Sequence, residues 1–523
     1  MADGPTTPEP VRMAELLAAL SLGIDLGFAQ PMEHVLRQCQ IALRVSELAG
    51  LSDETRAGVY YAALLVNVGC HTDAHEQAHW TGDDIAMKAT KYAYEPDSMA
   101  EVLGMLRLLG SGSTPLHRLR VAFDFAVSGR KEVDDMIAGH ARLARALGEQ
   151  LGLAPEALEG LSSSYERWDG KGYPGLLSGD EIPIASRVCQ LSEFMEVAHR
   201  TGGIRTAIDI AERRSGKQFD PSLVEIVRED AEKVFHGLDE VDAWSTVIDS
   251  EPALTRVLSP SECDAALEAI ARFIDLKSPW TLGHSSATSR LAEGAARQLG
   301  LPADEVALVR RAALVAGFGR LGVSNAIWDK AGSLTAGEWE RVRLHPQLTQ
   351  RMLQQSEALA PAGRVAGQLR ERLDGSGYPA GLSGPALGRP ARVLAVADAY
   401  QAMREPRPQR AALGEADAAA VLRDEVRVGR MDAAVVDAVL AAAGQRVGRR
   451  REGPAGLTAR EVEVLQLMAR GRSNKQIAAQ LVISPKTVGN HIEHVYTKIG
   501  ATNRAAASLF AMEHGLLPEE GAA

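Results

Sequence analysis

A chain of 523 residues is too long to fold around one hydrophobic core, and three or four domains are expected. With 46% hydrophobic and 24% charged residues it has the make-up of globular protein, and its apolar runs fall far short of a membrane span. Few aromatic residues and abundant alanine favour helices, and the net charge of −11 is unevenly spread. Cys39, Cys70, Cys189 and Cys263 are scattered with no close-spaced pair, which argues for a reducing compartment and against a disulfide framework or a cysteine-based zinc site.

Met1 to Pro10 is polar and proline-rich, with no basic region ahead of an apolar run, so it does not read as a signal peptide and a cytoplasmic protein is expected. Residues 1–22 are read as a polar N-terminal segment. The body that follows repeats itself. Asp169-Gly-Lys-Gly-Tyr-Pro174 recurs as Asp374-Gly-Ser-Gly-Tyr-Pro379. The interval from His34 to Leu51 equals that from His284 to Leu301, and the interval from His34 to Val66 equals that from His284 to Ala316. His140 and His345 stand equally far before the aspartate of the hexapeptide, and Glu193 and Asp398 equally far after it. The offset between copies is 250 in the early part and 205 in the later part, so the first copy carries an insertion, 45 long, between Val66 and His140. These intervals define a duplicated domain, copy one over 23–240 and copy two over 266–443, with 241–265 joining them. The hexapeptide's glycines permit positive φ or close approach and its proline fixes the exit, so it is a shaped loop rather than a catalytic group.

The intervals resemble the HD-GYP family of the HD phosphohydrolase superfamily. In copy two the likeness includes Gly283-His284-Ser285, Ala312-Ala-Leu314, Gly319, Lys330-Ala-Gly-Ser-Leu334, His345-Pro346, the hexapeptide, Arg392-Val-Leu-Ala-Val-Ala-Asp398 and Arg407-Pro408. Copy one is thinner, resting on Glu33-His34, Ala62-Ala-Leu-Leu65, Gly69, Glu166 to Pro174 and Ile182-Pro183. The resemblance implies helical domains in which a two- or three-metal centre opens cyclic di-GMP. The family's His-Asp dyad should stand at 66 and 67 and at 316 and 317, where this chain has Val66-Asn67 and Ala316-Gly317. The family's His-His pair should stand at 164 and 165 and at 369 and 370, where it has Ser164-Tyr165 and Leu369-Arg370. Three ligand-type residues persist in each copy: His34, His140 and Glu193; His284, His345 and Asp398. Three could hold a single divalent metal, the one cofactor in prospect, but cannot rebuild a bridged site. The bland alternative is a set of polar remnants satisfied by neighbours or water. The replaced dyads argue against catalysis. Arg320, Asp374, Gly377, Tyr378, Arg392 and Arg407 are candidate pocket residues, suited to a nucleotide ligand.

Cys70-His71 is followed by Asp73, His75, Glu76 and His79. Histidines at 71, 75 and 79 would share a helix face at ligand spacing, though a solvated segment is the preferred reading. Gly444 to Gly456, with Arg449, Arg450 and Arg451, reads as a flexible basic linker.

Past the linker, local signals are dense. Thr458 followed by Glu461 is a capping box, and apolar residues at 462, 465, 468 and 469 form one face of a helix ending near Gly471. Ser473 to Gln476 repeats the device for a short helix. Ser484-Pro485 opens a third helix to Ile499, and Asn503 a fourth, ending at Gly515. This is a helix-turn-helix layout. Leu457-Thr-x-Arg-Glu-x-Glu-Val-Leu465, Asn474-Lys-x-Ile-Ala478, Ser484-Pro-Lys-Thr-Val488, His491 and Lys498-Ile-Gly500 resemble the LuxR-type (GerE-like) DNA-binding domain, over residues 457–517. From Gly448 onward there are ten Lys/Arg and seven Asp/Glu, a net +3 on a body of −14. Lys475, Lys486, Thr487 and Lys498 are expected at phosphates and Gly489, Asn490 and Glu493 in the groove, with the capping Ser484 counted among the DNA-binding residues.

The fold expected is therefore all-α: tandem HD-type helical domains followed by a four-helix LuxR-type domain. The function expected is a sequence-specific transcription regulator, homodimeric on double-stranded DNA, with the HD-type domains as sensory or dimerising module and no membrane contact. The alternatives are a metal-dependent phosphohydrolase or cyclic di-GMP phosphodiesterase with residual activity, and a protein-interaction scaffold.

Overall fold

The computed structural model describes residues 10–92, 103–104, 107–110, 115–125, 130–239, 242–252, 255–445, 454–514 and 516. The chain divides into two units, one reaching Gln445 and the other starting at Arg446. Both are helical, and among the described residues the one sheet is Val11–Arg12 paired antiparallel with Val257–Leu258.

The first unit is arranged around the helix Met13–Gly27. Its sequence is apolar on every side, and such a helix can be stable only when covered all round. It packs on the helices His34–Leu48 and Asp53–Leu65 of copy one and on Phe318–Gly322 and Ala336–Leu353 of copy two. Residues 13–22 are thus largely buried core, which corrects the reading of 1–22 as a polar segment: the proline-rich stretch ends at Pro10, and between Met13 and Leu22 only Glu15 and Ser21 are polar. The stretch 241–265 is also more than a joiner. It contains the buried helix Ala243–Asp249 and the strand Val257–Leu258, and a capping box at Ser259 and Glu262 opens the helix Pro260–Asp275.

The duplication reappears element by element. His34 and His284 each open a helix after a residue with positive φ, Glu33 at 78° and Gly283 at 75°. Asp25 accepts from Val35 N at 3.0 Å, and Asp275, its counterpart at the early offset, accepts from Ser285 N at 2.8 Å. The hexapeptide loops are held by buried Glu166 and Glu371, which accept two backbone N–H groups each at 2.8–3.1 Å. Gly69 and Gly319 lie against the backbone carbonyls of His140 and His345, leaving no room for a side chain.

The second unit has four helices, Ala459–Ala469, Asn474–Leu481, Pro485–Ile499 and Arg504–Glu513. Each starts where its capping residue predicts. Thr458, Ser473, Ser484 and Asn503 accept from the backbone N–H three residues on. Leu457, Val464, Leu465, Met468, Ile477, Val488, Val495, Ala507 and Ala511 close the core between them. Arg449, Arg450 and Arg451 fall outside the described residues.

Candidate nucleic-acid interface and the two duplicated pockets

On the helix Pro485–Ile499, Val488 and Val495 face the core, and the opposite face is polar and open. Lys486, Thr487, Asn490 and Glu493 are exposed there, with Lys475 and Ser484 exposed on the preceding elements. Ser484 Oγ serves as the helix cap, accepting from Thr487 N at 3.1 Å. A side chain at Gly489 would meet nothing within 4 Å. Glycine inside a helix costs about 0.5–1 kcal/mol relative to alanine, and no internal packing requires it here. Lys498, expected at a phosphate, has protein partners in the chain without DNA. Its ammonium donates to Glu461 Oε2 at 2.7 Å and to Gly456 O at 3.1 Å, so it ties the third helix to the cap of the first.

In copy one the retained ligand-type side chains are brought together with protein partners. His34 Nδ1 meets Glu196 Oε2; burial pushes the imidazolium down, but Glu196 outweighs it and leaves the pKa above its ordinary value. Glu193 Oε1 accepts from Lys91 Nζ at 2.6 Å, Asn67 Nδ2 at 2.7 Å and Tyr92 OH at 2.7 Å. Burial pushes the Glu193 carboxyl up, and Lys91, Tyr92 and Asn67 together bring it below its usual range. Lys91 Nζ also donates to Asn67 Oδ1 at 2.9 Å and lies 5.5–6.0 Å from the ring centroids of Phe28, Tyr92, Tyr165 and Phe194. His140 stands between Asp73, 2.7 Å from Nε2, and Cys70 Sγ, 3.4 Å from Nδ1. Burial lowers it, but the Cys70 sulfur and Asp73 carboxylate push it up to about 9.

The 71, 75, 79 array does not form. His71 ends the separate 3-10 turn Val68–His71 and is buried, whereas His75 and His79 lie on the helix Ala74–Thr81. The turn breaks the helical phase the spacing requires. His75 reaches across to Asp329 of copy two at 2.7 Å. Nearby, Asp84 accepts from Lys88 at 2.9 Å and from Ser324 Oγ and Asn325 N at 2.8 Å, with Lys277 at 3.3 Å. The insertion of copy one thereby braces copy two.

In copy two, His284 bridges Asp398 at 3.0 Å and Glu405 at 2.9 Å. Asp398 also pairs with Arg370 at 3.1 Å; burial pushes this carboxyl up, and Arg370, His284 and Arg320 outweigh it, holding it well below the usual range. His345 donates from Nδ1 to Val342 O at 2.7 Å, and its Nε2 has no partner among the described residues. Burial, then Arg370 and Arg320, push it down to about 3. Beside these groups opens a cleft of about 250 Å³, lined by Lys277, Arg320, Arg370, Arg407 and Arg410, two carboxylates (Asp275 and Asp329) and the indoles of Trp280 and Trp328. Arg407 is bonded to Glu405 at 2.8 Å and to Trp280 O. Arg320 lies 5.5 Å over the Trp328 ring and has no hydrogen-bond acceptor among the described residues. Burial lowers its pKa.

Of the six candidate pocket residues, Arg320 and Arg407 line this cleft. Arg392 instead braces the loop, donating to Leu387 O at 2.7 Å and Gly384 O at 3.0 Å. Asp374 is exposed and bonded to Ser376, Gly377 packs on the Glu371 backbone, and Tyr378 bonds through its N–H to Arg370 O at 3.1 Å. Lys91, Tyr92, Lys277, Trp280 and Trp328 carried no motif. Asp275 could have been found by extending the early offset between the copies back to Asp25.

The residues that remain do not suit a metal centre. Among the described residues no three His, Cys, Asp or Glu side chains are grouped to hold an ion, and Glu193 and Asp398 each face a side-chain cation.

Comparison with known proteins bears on the family of each part of the chain. Residues 130–223 and 268–435 match the HD domain family, and residues 455–511 match the luxR family of bacterial regulatory proteins. The chain is similar to 3'3'-cGAMP-specific phosphodiesterase 3 of Vibrio cholerae serotype O1, 30% identical over 419 residues, covering 79% of this chain and 91% of that protein. It is similar in structure to a cyclic GMP-AMP specific phosphodiesterase in V. cholerae, with a TM-score of 0.58 and 26% identity over 83% of this chain and 98% of that one. Its C-terminal part is 45% identical over 71 residues to the probable transcriptional regulatory protein NarL of Mycobacterium tuberculosis, 13% of this chain and 33% of that protein.

Proposed function

The chain belongs to the HD domain family and ends in a luxR-family regulatory domain, and from that premise we propose that it is a cytoplasmic, homodimeric transcription regulator that reads a DNA sequence. The HD-type unit is its sensor, binding a phosphate-bearing nucleotide in the copy-two cleft without hydrolysing it. No helix among the described residues is long and apolar enough to cross a membrane.

The observation that carries this reading is the row Lys486, Thr487, Asn490 and Glu493, exposed beside a glycine that the domain's own packing does not need. Asn can pair bidentately with adenine, Glu can accept from cytosine, and the lysines supply sequence-independent attraction. Leu509 and Met512, 51% and 59% exposed on the fourth helix, offer a face for a second copy. The cleft supports the sensory half: Arg320 has no hydrogen-bond acceptor among the described residues and, with Arg407 and Arg410 beside it, suits phosphate, and two indoles suit a base.

The test is genome-wide mapping of DNA bound by the full chain, with and without candidate nucleotides. Discrete sites whose occupancy changes with a nucleotide are expected; uniform background would sink the proposal. Lys486→Ala should weaken binding to all sequences and reduce the salt slope by about 1, while Asn490→Ala should alter sequence preference by about 1–3 kcal/mol. Light scattering of the full chain on its DNA site should give a dimer.

A second reading, residual phosphodiesterase activity, draws on the likeness to the V. cholerae enzymes. Against it, Val66, Asn67, Ala316 and Gly317 stand where the dyads would be, and water activation between two ions needs those ligands. Linear product from a cyclic dinucleotide, lost in His284→Ala or Asp398→Ala, would promote it.

A further inference from the structure

We infer that each HD-type core carries in its own chain the cation that its carboxylate requires: the Lys91 ammonium in copy one and the Arg370 guanidinium in copy two, each standing among the positions that family resemblance assigns to metal ligands. In copy one, position 67 of the lost dyad and Glu193 present their oxygens to the same atom, Lys91 Nζ, at 2.9 and 2.6 Å. A metal ion would need those oxygens and would meet a positive charge already seated on them. Asn67 completes the arrangement by donating from Nδ2 to Glu193 at 2.7 Å while accepting from Lys91. Phe28, Tyr92, Tyr165 and Phe194 surround the ammonium with ring faces, a setting that suits a cation.

Copy two reaches the same charge balance by another route. The second position of the family's His-His pair is Arg370, which is salt-bridged to Asp398 at 3.1 Å, with His284 on the other carboxylate oxygen at 3.0 Å. The two cations come from different places in the fold. Lys91 belongs to the insertion that copy two lacks, and Arg370 to the segment ahead of the hexapeptide loop. A buried carboxylate left without a partner is costly, and two independent replacements at equivalent carboxylates answer that cost. This gives the insertion of copy one a role: it delivers Lys91, and beside it Tyr92, to Glu193.

The test uses the purified full chain. Wild-type protein is expected to show no saturable Mn²⁺ binding by titration calorimetry, and its melting temperature should be unmoved by EDTA. Lys91→Met should lower the melting temperature by about 5 °C or more, and Lys91→Met with Glu193→Gln should recover most of that loss, since the carboxylate no longer needs a partner. Arg370→Met and its combination with Asp398→Asn should behave alike. If Lys91→Met does not fold, the double variant decides: folded protein supports the internal pair and continued failure overturns it. Stoichiometric Mn²⁺ binding that raises the wild-type melting temperature, or a double variant no more stable than Lys91→Met, would also overturn it.

Discussion

His140 and His345 occupy the same place in the two copies, each at the same interval ahead of the shared loop and each against the backbone of an equivalent glycine. Their surroundings have diverged. His140 is flanked by Cys70 and Asp73, which push its pKa up to about 9. His345 faces Arg370 and Arg320, has no acceptor at Nε2 among the described residues, and is pushed down to about 3. Around the first, Lys91 and aromatic rings fill the pocket; beside the second, arginines and indoles line a cleft. The carboxylates Glu193 and Asp398 are both paired with a side-chain cation, but copy two alone keeps a further cation, Arg320, with no hydrogen-bond acceptor among the described residues beside an open cleft. The scaffold is shared between the copies because it is held by backbone contacts, whereas the pockets were free to change because side chains define them.

The largest effect should test the shared scaffold. Gly69→Ala and Gly319→Ala each force a methyl group into a histidine carbonyl, and each should destabilise the first unit by about 3 kcal/mol in urea unfolding. Similar losses support equivalent scaffolds; a loss in one copy alone breaks the comparison. Next, Arg320→Ala should weaken binding of a cyclic dinucleotide or pyrophosphate by about 2 kcal/mol, whereas Asn67→Ala in copy one should leave that affinity unchanged. Equal effects would mean that the cleft is not where the anion sits.

How much of this was legible in the sequence depended on distance along the chain. The C-terminal domain was readable because its caps join residues three apart, such as Thr458 and Glu461. The duplication was readable because intervals survive when ligands do not. The Lys91–Glu193 pair, far apart in the chain, left no local signal, and Arg370 could be seen only as a missing histidine. The bond from Lys498 to Glu461 is likewise invisible locally, because Glu461 lies well back in the chain, on another helix. The helix Met13–Gly27 is hard to see in the sequence because it follows directly on a polar, proline-rich start and its apolar residues lie on every side rather than on one face.

The smallest effect is the pH dependence of the two histidines, and its sign differs between the copies. His140 is raised in the folded chain, so its contribution is fully present below the unfolded value of about 6.5 and is lost as pH rises through about 9. His345 is lowered: the unfolded chain takes up a proton near about 6.5 and the folded chain does not, so stability is lost as pH falls from there toward about 3. Imidazole nitrogen NMR should find His140 protonated at about pH 7.5 and His345 neutral at about pH 5, each about one unit or more from the free-histidine value. The same state for both rings would erase the distinction.

The placement of the helix Met13–Gly27 also sets an order of events at birth. One side of it is covered by copy one, but its contacts with Phe318–Gly322, like the strand partner of Val11–Arg12 at Val257–Leu258, are encoded far downstream. At roughly 5–20 residues per second, a gap of about 300 residues leaves that apolar surface waiting on the ribosome for roughly 15–60 s. A nascent chain halted after copy one should therefore be a client of chaperones, and the duplicated body should mature as a whole rather than one repeat at a time.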